Sequence, residues 1–106
     1  MQSLDARQKS ILSAMVLAMP ERNEAVNVSR IEMNMEEVRQ TGYMDTKGAE
    51  LVYMNEDEMI EQLDFLEEMG FVEKVKGGKQ YKFAAELYRI FIQKEKVVRK
   101  LQEVEN

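Results

Sequence analysis

Between Asn55 and Phe83 the spacing of apolar residues changes period at a single glycine, and no other feature of the chain constrains its fold so tightly. Before Gly70, the residues Met59, Ile60, Leu63, Leu66 and Met69 recur at three- and four-residue steps, the repeat of a helix with one buried face. Asn55 and Glu58 ahead of that stripe form a capping-box pattern, and Glu56, Asp57 and Glu58 set negative charge at the positive end of the helix dipole. After Gly70, both 71-FVEKVK-76 and 79-KQYKF-83 alternate apolar and polar residues around Gly77-Gly78, which predicts a two-stranded hairpin. A helix stopped by glycine and followed at once by a hairpin buries its stripe only if the hairpin folds back against the rest of the chain.

Upstream, 4-LDARQKSILSAMVLAM-19 places Leu4, Ile11, Leu12, Met15 and Ala18 or Met19 on one stripe, predicting a helix with one buried face that Pro20 ends. The run 20-PERNEA-25 reads as a polar connector. In 28-VSRIEMNMEEVRQTG-42, Ser29 and Glu32 match a capping box, while Ile31, Met35 and Val38 share a stripe that Gly42 stops. In the segment 43-YMDTKGAELVYM-54 Gly48 interrupts the pattern, and Leu51 to Met54 reads either as a strand or as a short helical turn. At 106 residues the chain supports one domain, residues 1–106, mainly α with a small β-hairpin.

Charge is divided along the chain. Residues 1–69 hold fifteen acids and six bases, net −9, whereas residues 70–106 hold five acids and nine bases, net +4. The split is sharpest across the glycine. From Asn55 to Glu68 there are seven acids and no base, yet Lys74, Lys76, Lys79 and Lys82 crowd the hairpin, with only Glu73 among them. Such a hairpin offers cations to a polyanion. It has a second reading, because edge strands also carry lysines that discourage sheet-to-sheet association.

The run Met59, Leu63, Leu66, Gly70, Val72, Gly77-Gly78, Tyr81 resembles the third helix and wing of winged helix-turn-helix domains, over roughly residues 55–85. That resemblance implies a winged helix-turn-helix fold and a dimeric, double-stranded-DNA-binding transcriptional regulator. Lys74, Lys76, Lys79 and Lys82 would then meet phosphates, with Gln62 and Phe65 at or near a groove. The sequence departs from the family in two ways. A helix over 30–40 is separated from Asn55 by about fourteen residues where the family has a turn of three or four, so either 45–53 is the second helix or the turn is expanded. The third helix is also acidic where DNA-binding members enter the major groove. This charge supports an alternative, a winged-helix module that docks a basic protein partner or mimics nucleic acid.

From Ala84 to Asn106 there is no Gly or Pro, which predicts one long C-terminal helix. Leu87, Lys94 and Leu101 lie seven apart, as do Ile90, Val97 and Val104, and Phe91 and Val98 broaden the stripe. This heptad-like seam predicts a homodimer paired through the helix. The other reading packs Leu87 to Ile92 into the domain itself. Lys96, Arg99 and Lys100 make a second basic patch, also readable as ordinary helix solubility.

With no histidine and no cysteine, the chain lacks thiolate chemistry, the usual zinc ligands and the side chain best suited to proton transfer near neutral pH. Its carboxylate pairs, such as Glu61 with Asp64, fall on helices without a glycine-bent coordination loop, and Gly77-Gly78-Lys79 lacks the flanks of a phosphate loop. Neither enzyme activity, cofactor nor metal is expected. The N-terminus shows no signal pattern and no apolar run reaches membrane-spanning length, so a cytoplasmic location is expected.

Overall fold

The computed structural model describes residues 4–18, 22–41, 54–75, 77–94, 96–97 and 100. It is mainly helical with a small three-stranded antiparallel sheet: α1 (Ala6–Ala18), β1 (Val26–Asn27), α2 (Val28–Thr41), α3 (Glu56–Glu68), β2 (Val72–Lys74), β3 (Gln80–Phe83) and α4 (Ala85–Leu87). A π-helical turn over Tyr88–Ile92 continues α4 directly.

The helix and hairpin around Gly70 form as their sequence implies. Asn55 Oδ1 accepts from the Glu58 amide at 2.8 Å, and Glu58 Oε1 accepts from the Asn55 amide at 3.2 Å, closing the capping box of α3. Met59, Leu63 and Leu66 are buried, with Ile60 and Met69 packed beside them. At the other end Gly70 adopts a φ of 85°. The Phe71 amide reaches the Leu66 carbonyl at 2.9 Å and the Gly70 amide the Glu67 carbonyl at 3.0 Å, the paired bonds of a Schellman stop. The chain then turns into β2 with the Leu66 and Glu67 carbonyls satisfied.

In the hairpin Val72 lies opposite Phe83, Glu73 opposite Lys82 and Lys74 opposite Tyr81. Tyr81, Phe83 and Val72 are buried, and Glu73 stays exposed on the other face. A third strand joins this pair. Val26 and Asn27 lie across from Tyr81 and Gln80, so β3 is central and the sheet order is β1-β3-β2. The connector reading of residues 20–25 stops just short of this strand, which at two residues is too brief to show any alternation. Asn23 extends the edge with its side chain: Nδ2 donates to the Phe83 carbonyl at 2.7 Å and Oδ1 accepts from the Phe83 amide at 3.1 Å.

Two expectations for the first half of the chain need correction. α2 is capped by Asn27, whose Oδ1 accepts from the Arg30 amide at 2.8 Å and from the Ser29 hydroxyl at 2.9 Å. Ser29, predicted as the cap, lies inside the helix and supports the residue that caps it. The second concerns α1, where the whole run Ile11, Leu12, Ser13, Ala14, Met15 and Val16 is buried. A helix with one buried face would expose part of that run. α1 is instead the central helix, packed against α2 and α3, and the Ala14 carbonyl accepts from Asn34 Nδ2 of α2 at 3.3 Å. Its own N-terminus carries a capping box as well, made by Asp5 and Gln8.

Buried residues from the three longer helices, the three strands and the π-helical turn form one hydrophobic cluster, in which Ile31, Leu63, Tyr81, Phe83 and Ile92 are fully enclosed. The segment 43–54 lies outside the described residues except for Met54, which joins this cluster. Among the described residues no helix is long and apolar enough to cross a membrane.

The C-terminal region differs from a uniform helix. Within the π-helical turn the Gln93 amide bonds to the Tyr88 carbonyl, five residues back, which admits one extra residue and rotates the helix beyond it. Leu87, Tyr88 and Ile92 pack on the core, while Ile90, Phe91 and Val97 face outward.

Candidate functional site

Lys74 and Lys79 are exposed and Lys82 is partly exposed, and acids of the same chain stand beside them. Lys79 pairs with Glu56 in the first turn of α3, and this carboxylate holds its ammonium above the usual lysine value. Lys82 lies 3.8 Å from Glu73, its cross-strand neighbour. Lys74 has its backbone amide on Glu67 Oε2 at 2.7 Å and its ammonium 6.0 Å from the centre of the Tyr81 ring, at the limit of a cation–π contact. Lys76 lies outside the described residues. The split between an acidic helix and a basic hairpin thus closes on itself in space, because Gly70 turns the hairpin back alongside α3.

Of the two α3 residues expected near a groove, only one faces outward. Gln62 is buried, with its Oε1 3.5 Å from Gln8 Nε2 of α1, so it belongs to the packing between helices. The stripe spacing explains this: residue 62 adjoins Met59, Leu63 and Leu66, and burial spreads to it. Phe65 is 48% exposed, an unusual placement for a phenyl ring on a helix so rich in carboxylates.

Around Phe65 the outer face of α3 forms a shallow groove of about 390 Å³, lined by Asp57, Ile60, Glu61, Asp64, Phe65 and Glu68. Its floor is apolar and its rim is anionic. Asp64 is held in place by the Tyr81 hydroxyl, which donates to Oδ1 at 2.9 Å. The pattern was available in the sequence as carboxylates at 57, 61, 64 and 68, one helical turn apart, with an aromatic residue among them. Only the burial of the opposite face identifies this side of α3 as the open one.

No family model, curated protein or solved structure matches this chain. The functional reading therefore rests on the surface itself.

The residues expected to form a dimer seam separate into two groups. Leu87 is half-buried against the chain's own core. Ile90, Phe91 and Val97 are 49%, 61% and 54% exposed, and Lys94 is exposed with them. Val98, Leu101 and Val104 lie outside the described residues. What remains is a short, outward apolar face with a lysine in it.

Proposed function

We propose that this chain is a winged-helix domain that works by docking a basic, amphipathic protein segment on the outer face of α3. The element order helix, strand, helix, helix and hairpin, with the two-residue strand pairing against the returning hairpin strand, supports the winged-helix assignment. The observation that carries the docking function is the groove around Phe65, an apolar floor rimmed by Asp57, Glu61, Asp64 and Glu68. Polyanions are repelled from such a surface, whereas a segment carrying Lys or Arg beside an aliphatic side chain meets both its needs there.

A second reading keeps the implied DNA-binding regulator, with the hairpin as the contacting element. It is favoured by the exposure of Lys74 and Lys79 and the partial exposure of Lys82, since solvent-facing ion pairs contribute little and phosphates can displace their acids. Against it stand the matched charges: Lys79 with Glu56 and Lys82 with Glu73 leave little net field for a duplex.

Titration separates the two. A basic amphipathic helical peptide should bind at low salt, and Phe65→Asp should abolish that binding while leaving the circular dichroism spectrum intact. Duplex DNA should bind weakly or not at all. Duplex affinity that falls steeply with salt, with a slope flattened by replacing Lys76 and Lys79 with Ala, would reverse the order of the two readings.

A further inference from the structure

We infer that the segment docked on the α3 groove is the C-terminal helix of a second copy of this chain. This names the partner of the docking surface just described and so rests on that reading. Both halves of the contact are present and open on one molecule. The groove presents Ile60 and Phe65 within a rim of Asp57, Glu61, Asp64 and Glu68. The helix presents Ile90, Phe91 and Val97 with Lys94 among them. Because Phe65 and Phe91 are exposed together, one copy's helix does not cover its own groove, and the match is made between molecules.

Charge selects this pairing over the helix-to-helix seam that heptad spacing suggests. In a parallel symmetric pair Lys94 occupies a seam position and faces its own counterpart, like charge against like charge, with Glu95, Glu103 and Glu105 as the carboxylates that follow it in sequence. In the groove the same ammonium meets an anionic rim. The whole chain follows that division, net −9 over residues 1–69 and net +4 over residues 70–106, so the complementary ends of two copies attract along their length. Two such contacts made reciprocally close into a two-fold dimer.

The π-helical turn is what makes the helix available. Leu87 and Tyr88 pack on the core ahead of it, and across the turn Ile92 returns to the core while Ile90 and Phe91 are left open to a partner.

Sedimentation equilibrium on the full chain tests the pairing. The wild type should associate, Phe65→Asp and Phe91→Asp should each weaken association about tenfold or more, and an equimolar mixture of the two variants should associate more tightly than either variant alone. The mixture regains one intact contact, a good helix from one variant on a good groove from the other. Circular dichroism melts confirm that each variant folds, as expected for exposed positions. If Phe65→Asp leaves the mass unchanged while Phe91→Asp reduces it, the helices pair with each other and the inference is overturned. A wild type that stays monomeric overturns it too. In that case, loss of the basic peptide's binding in Phe65→Asp would show that the docking surface stands and only its partner was misassigned.

Discussion

The Tyr81 hydroxyl donates a hydrogen bond of 2.9 Å to Asp64 Oδ1, joining the central strand of the sheet to the helix that carries the open groove. The tyrosine ring is fully buried while the carboxylate sits at the groove rim, so one contact spans core and surface. Removing the hydroxyl in Tyr81→Phe leaves the ring packing in place and frees Asp64 to solvent. We expect a loss of about 1 kcal/mol in urea denaturation, together with weaker binding at the groove because Asp64 is no longer held.

Stability should decline with rising pH from about 10 upward. Burial, reinforced by the bond to Asp64, pushes the Tyr81 hydroxyl above its ordinary value of 10.0. The folded protein therefore keeps this proton after the unfolded chain has released it. The contribution is complete below the unfolded value and is lost as pH climbs toward the folded one. Lys79, held above its ordinary 10.5 by Glu56, acts in the same direction. Denaturation midpoints measured across this alkaline range should fall less steeply for Tyr81→Phe than for the wild type.

Asn23 acts as a fragment of strand. Its amide satisfies both the N–H and the carbonyl of Phe83, 60 residues along the chain. Asn23→Ala strands both groups in a half-buried site and should cost about 1–3 kcal/mol. Hydrogen exchange at the Phe83 amide should quicken, whereas exchange in α1 changes only by the global loss.

The phase set by the π-helical turn is testable with two adjacent side chains. Ile92 is fully buried and Phe91 is exposed. Ile92→Ala should cost about 2–5 kcal/mol, and Phe91→Ala less than about 0.5 kcal/mol in the isolated chain. A uniform helix with its seam at Ile90 and Phe91 would not produce this contrast, which thermal melts at low protein concentration can measure.

What sequence alone determined is what depends on neighbours a few positions away. The capping box of Asn55 and Glu58, the stripe from Met59 to Met69, the stop at Gly70 and the alternation through Tyr81 and Phe83 all arise from hydrogen bonds and periods contained in a short window. The carboxylate spacing along α3 was equally visible, though not which side of the helix stays open. Tertiary structure decided the rest, because it turns on partners far apart in the chain. Val26 and Asn27 become a strand only because β3 lies beside them, Gln62 is interior only because α1 covers it, and Lys79 is matched only because the hairpin returns to Glu56. Local propensity carries no record of such pairings, which exist once the hydrophobic cluster has drawn the elements together.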